Sequence, residues 1–238
     1  MYVVGSLLQI VIKKGLQVTS TPTVIVPEST IQQGSKNSTT RQFEVQLNFT
    51  ISGAAAGGSG GAGGGDRAAV LRSLSTNEFA VGLRVLTGGT SYTDIYLKGV
   101  VSNGRSGSSG SPSGIAIISG LSVWVDRRSA GGGTNTTYME GGPVPLPVVS
   151  GEGSKTRFEA WTVPGTKLGL SVWVDHSVIE VYAMGGLARV TSRIYPEKET
   201  SAWGVAVWGA GPAGASAAVT GVDVQVWEMN NMWLTPNC

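Results

Sequence analysis

Asp175, His176 and Glu180 stand close together in a 238-residue chain that holds a single histidine. Two carboxylates can divide the work of glycoside hydrolysis, one protonating the leaving oxygen while the other acts as nucleophile or guides water. The same residue types also close turns and pair with arginines across a hairpin, and Arg189 and Arg193 follow at suitable spacing. With one histidine and no nucleophile set nearby, pairing with Arg189 or Arg193 is the expected role, since structural ion pairs often resemble active sites.

The segment that must position these residues, 170–196, reads as three strands. Val172 and Val174 point one way, with Trp173 and Asp175 opposite. Val178, Glu180 and Tyr182 then alternate with Ile179 and Val181, and Gly185-Gly186 supplies the positive φ of a tight turn before residues 188–195 return. The clearest period of two lies further upstream. Phe43, Val45, Leu47, Phe49 and Ile51 alternate with Glu44, Gln46, Asn48, Thr50 and Ser52, the mark of a strand with one wet face. Shorter runs rich in Val, Ile, Trp and Tyr recur at 79–86, 92–97, 115–125, 156–163, 202–208 and 221–228, separated by Gly, Pro, Asn or Ser clusters. Residues 66–74 could form a helical turn or two. Many short strands with little helix predict an all-β protein: an antiparallel two-sheet β-sandwich of the concanavalin-like jelly-roll type, with long Gly-rich loops. Residues 53–65, 103–114 and 130–137 are the Gly/Ser/Ala-rich insertions expected to form mobile loops.

Composition narrows the function classes. Seventeen Lys+Arg against fifteen Asp+Glu give a net charge of +2, too balanced for a nucleic-acid footprint. The only cysteine, Cys238, excludes an intramolecular disulfide and Cys-based zinc, and one histidine excludes a multi-histidine site; no metal and no cofactor are expected. The apolar run 3–12 is too short to span a membrane, and its positive charges follow it rather than precede it, unlike a secretory signal. Matches to GxGxxG and GxSxG within residues 57–63 come from one low-complexity tract and lack the strand–helix context that either motif requires. Asn37, Asn48 and Asn135 each begin an Asn-X-Ser/Thr acceptor for N-glycosylation, and Asn48 falls on the wet face of its strand.

The run Val174-Asp175-His176-Ser177-Val178-Ile179-Glu180, then Gly185-Gly186, then Thr191-Ser192-Arg193-Ile194-Tyr195-Pro196, resembles the C-terminal β-sandwich of glycoside hydrolase family 32. That family holds invertases, fructan hydrolases and related fructosyltransferases. Weaker likenesses lie at 43–51, at 79–86 with 92–97, at Val125-Asp126-Arg127-Arg128-Ser129, and at Gly141-Gly142 with 143–147, which is similar to a loop before the last core hairpins. The resemblance implies residues 39–230 as the sandwich, 1–38 as an N-terminal segment left from an interdomain linker with early strands, and 231–238 as a tail. It also implies that catalysis belongs to a separate five-bladed propeller carrying Asn-Asp-Pro, Arg-Asp-Pro and Glu-Cys motifs. None of the three occurs here, so Asp175, His176, Ser177, Glu180, Gly185, Gly186, Ser192, Arg193, Tyr195 and Pro196 are expected to be structural, and no catalytic residue is carried over. The implied role is a non-catalytic module that stabilises or docks to a family 32 propeller, in a secreted, vacuolar or cell-wall setting. A free-standing carbohydrate-binding, lectin-like sandwich is the alternative. The expected partners are that propeller, a carbohydrate or a second copy of the chain, with neither nucleic acid nor membrane.

Overall fold

The computed structural model describes residues 7–27, 42–53, 74–75, 77–87, 90–103, 116–129, 138–145, 161–162, 167–194, 204–211 and 217–229. Their elements in chain order are β1 (Leu7–Leu16), β2 (Thr23–Val26), β3 (Gln42–Gly53), β4 (Glu78–Leu86), β5 (Tyr92–Asn103), β6 (Ala116–Asp126) and β7 (Met139–Pro143). Then come β8 (Trp161–Thr162), β9 (Lys167–Asp175), β10 (Val178–Ala183), a 3-10 turn (Met184–Gly186), β11 (Ala188–Arg193), β12 (Gly204–Ala210) and β13 (Ala217–Met229). Six strands form one antiparallel sheet in the order β1-β13-β3-β9-β10-β11. Seven form the other, in the order β2-β12-β4-β5-β6-β7 with β8 beside β6. This is the two-sheet sandwich expected from the alternation.

The core is the set of side chains that the period of two turns inward. Phe43, Val45, Leu47 and Phe49 of β3 meet Val172 and Val174 of β9 and Val224 and Val226 of β13, facing Phe79, Val81, Leu83 and Val125 from the other sheet. β6 keeps this phase only by absorbing an extra residue. Ile118 and Leu121 both point inward because the register slips at Gly120, whose φ of +58° suits glycine.

The two sheets differ on their outer faces. β9 alternates buried and open positions, as a sheet with one wet face should. β4 is buried along both faces. Ala80, Tyr96 and Trp208 form a second apolar cluster on the outside of the seven-stranded sheet, with Leu74 and Trp124 packed against it. Within that outer layer Arg84 and Asp94, each only 3% exposed, are register partners joined by two parallel hydrogen bonds of 3.0 and 3.1 Å.

Four expectations are corrected or fall elsewhere. Gly141-Gly142-Pro143, read above as part of a loop, belongs to strand β7, paired with β6 from Ser122 to Asp126. β7 is an edge strand, where proline's missing N–H costs no ladder bond. The strand expected at 156–163 is described only at Trp161–Thr162. Of the helical turn expected at 66–74 only Leu74 is described, and it belongs to no element; the interiors of the three Gly-rich tracts lie outside the described residues.

Candidate functional site

The β9–β10–β11 meander carries most of the residues singled out above. β9 turns into β10 through His176 and Ser177 alone, because Asp175 pairs with Val178. His176 sits at φ +51°, in the left-handed region that a side chain enters only when its surroundings hold it there. Its Nδ1 lies 2.6 Å from Asp175 Oδ1, and Gln42 Nε2 donates to the same oxygen at 2.8 Å. Partial burial pulls the Asp175 carboxyl upward, but the bonds from His176 and Gln42 outweigh it and hold the group below the usual carboxylate range. Glu180 accepts the Tyr182 hydroxyl at 2.9 Å. At the far end, Met184, Gly185 and Gly186 all take positive φ as β10 passes to β11.

The arginines do not take the partners expected of them. Arg193 lies opposite Val178, not Asp175 or Glu180, and its Nη2 donates to Ser177 Oγ at 3.1 Å. Arg189 lies opposite Tyr182. The bonds around Asp175 and Glu180 therefore run to Gln42, His176 and Tyr182. Ser192 is buried in β11. Tyr195, Pro196, Asn37 and Asn135 lie outside the described residues, while Asn48 stands on β3 between Asp223 and Gly169.

Beside the meander, the outer faces of β3, β9 and β10 form an open cleft of about 440 Å³. Glu44, Gln46, Asn48, Ser171, Trp173 and Tyr182 line it. Glu44 is 8% exposed, and its Oε1 accepts from Gln46 Nε2 at 2.9 Å and from Ser171 Oγ at 3.0 Å. Ser171 Oγ in turn accepts the Trp173 indole N–H at 3.2 Å. Among the described residues, no three His, Cys, Asp or Glu side chains gather in a metal-holding group.

A family model described as "Glycosyl hydrolases family 32 C terminal" matches residues 12–228. The chain belongs to this family. Within it, the family 32 module is 37% identical over 76 residues to the acid beta-fructofuranosidase of Vigna radiata var. radiata, covering 30% of this chain and 11% of that one. It is 38% identical over 85 residues to a bifunctional fructosyltransferase of Allium cepa, covering 32% and 13%. Among solved structures, "Crystal Structure of A. japonicus CB05" superposes over 97% of this chain and 27% of the other, with a TM-score of 0.50 and 19% identity. The module thus spans about a tenth of the length of these curated relatives.

The structure also joins two segments of the family 32 module that the sequence presents separately. Arg127, in the Asp126-Arg127-Arg128 stretch after β6, donates from Nη1 to the Arg193 carbonyl at 2.7 Å and from Nη2 to Glu140 Oε1 at 3.0 Å. It is 6% exposed and ties the end of the seven-stranded sheet to the β11 edge of the six-stranded sheet. Asp126 meanwhile accepts the Arg128 backbone N–H at 3.0 Å and its Nε at 2.8 Å. The site residues that sequence reasoning passed over are Glu44, Gln46 and Tyr182 of the cleft. Their signal was present in the alternation, which put Glu44 and Gln46 on a wet face and Tyr182 on one face with Glu180, without showing that those faces adjoin.

Proposed function

We propose that this chain is the accessory sandwich of a β-fructofuranosidase-type enzyme, docking to and stabilising a catalytic propeller while contributing no catalytic residue. The observation that carries the proposal is the family 32 C-terminal match across a sandwich whose candidate carboxylates are structurally engaged. A general acid for glycoside hydrolysis needs a raised pKa and a facing carboxylate. Asp175 is shifted the opposite way. Asp94 is the carboxylate pushed up, to about 6, and it is buried against Arg84.

Residues 1–38 are read as the segment arriving from the propeller. β1 and β2 occupy corresponding edges of the two sheets, where Ile12 and Val24 are 49% and 53% exposed. Exposed apolar side chains on neighbouring edge strands suit a partner surface. The purified chain is expected to release no fructose from sucrose, inulin or levan; hydrolysis above a buffer blank, lost in Asp175→Ala, would overturn the non-catalytic reading. The chain is also expected to bind a separately expressed family 32 propeller and, without one, to self-associate in light scattering as its concentration rises. Ile12→Glu combined with Val24→Glu should weaken both. Monomeric behaviour with no propeller affinity in the parent chain would refute the docking role.

A further inference from the structure

The docking edge leaves a second feature unused, on another part of the surface. We propose that the cleft over β3, β9 and β10 binds a neutral, hydroxyl-rich oligosaccharide. Trp173 is 43% exposed on a strand whose inward residues are fully buried. Its indole N–H is engaged by Ser171, which fixes the ring's orientation and leaves a face for stacking against the C–H face of a sugar ring. Glu44, Gln46 and Ser171 are already bonded to one another, so the polar groups beside the ring are ordered before any ligand arrives. A hydrophobic platform with a few fixed polar groups is the usual composition of a small-ligand site, and the cleft volume falls within the ~300–1,000 Å³ such sites occupy.

Two details shape the specificity. At the floor of the cleft the Asn48 side chain lies over Gly169, where an added Cβ would come within 2.8 Å of Asn48 Oδ1. The charged side chains beside the ring are acidic: Glu44 lies opposite Trp173 from β3, and Glu180 lies opposite it from β10. Carboxylates accept hydrogen bonds from hydroxyls and repel anions, so uronate or sulfated sugars are excluded and neutral ones admitted.

The test does not depend on the docking role, since it uses the 238-residue chain alone. Fructose-, glucose-, galactose- and mannose-based tri- to pentasaccharides are titrated into the chain while the Trp173 indole N–H resonance is followed. An oligogalacturonate serves as the anionic probe. One neutral series is expected to shift that resonance and saturate. Calorimetry should show Trp173→Ala losing at least about tenfold in affinity, and Trp173→Phe, which keeps an aromatic face, retaining most of it. Tyr138→Ala, which removes an exposed aromatic just before β7, should change nothing. The proposal is overturned by no binding of any neutral probe at about 10 mM. Binding that survives Trp173→Ala, or binding of the oligogalacturonate alone, would overturn it equally.

Discussion

Asp94→Ala is expected to destabilise the fold by about 3–5 kcal/mol at pH 7.5, read from a urea or thermal melt, because breaking one side of a buried ion pair strands the other. Asp94 Oδ1 accepts from Arg84 Nε and from the Trp208 indole N–H at 3.1 Å, and Oδ2 accepts from Arg84 Nη2. The guanidinium also lies 3.4 Å from the centre of the Tyr92 ring. Truncation removes the carboxylate to which three N–H groups point, in a layer that water does not reach. Asp94→Asn keeps an acceptor and should cost less. The same carboxyl sets a pH dependence of unusual sign. Burial raises its pKa to about 6 despite Arg84, whereas an unfolded aspartate titrates near 3.8. Between these values the folded state holds a proton that the unfolded state has released, so this group's contribution to stability grows as pH falls from 7 toward 4. Each pKa unit corresponds to about 1.4 kcal/mol, which sets a ceiling of about 3 kcal/mol on the effect. Glu78 and Asp175 are shifted downward from 4.5 and 3.8, so their contributions begin to be lost only as pH falls through those values and oppose the Asp94 trend at the low end of this window. Flattening of the pH 4–6 slope in Asp94→Asn is the confirming result; an unchanged slope would assign it to another group.

Gly82→Ala is expected to cost at least about 3 kcal/mol, at the upper end of overpacking effects. A Cβ at Gly82 would lie 2.2 Å from the Ile95 carbonyl oxygen and 2.5 Å from Tyr96 Cβ, on the strand that pairs with it. Neither atom can rotate away, because one is main chain and the other is the Cβ of a buried tyrosine whose ring packs on Trp208 at a centroid distance of 5.5 Å. Gly142→Ala is the matched control. It too lies in a strand, but nothing stands within 4 Å of the added carbon, and its effect should stay within about 0.5 kcal/mol. Equal melting points for the two variants would show that β4 and β5 can separate without penalty.

These two cases also mark where sequence reasoning stops. The inward residues of β3, β9 and β10 were legible because a period of two writes the buried face directly into the order of residues. β7 was not, because Gly141-Gly142-Pro143 carries turn chemistry, and its strand form comes from pairing with β6. Arg84, Asp94 and Asp126 share one row across β4, β5 and β6, and charged positions in such strands read as solvent-facing. Their burial depends on what lies over the outer sheet, a tertiary fact with no local signature. The expected pairing of Asp175 or Glu180 with Arg189 or Arg193 failed for a related reason. Residue types propose the partners, but the register that sets Val178 opposite Arg193 decides which atoms meet. The family resemblance identified the module, yet the cleft beside Trp173 needed β3 and β9 to be placed side by side.

The link between Arg127 and Arg193 has a consequence for how this module can vary. The guanidinium grips the carbonyl of residue 193, a group that every amino acid supplies. Substitution at 193 therefore leaves the acceptor in place while abolishing only the side-chain bond to Ser177, whereas substitution at 127 removes the donor itself. The tie is asymmetric under mutation. Sequence can drift at one end without cost to the joint between the sheets, and the burden of keeping that joint falls on a single codon at the other.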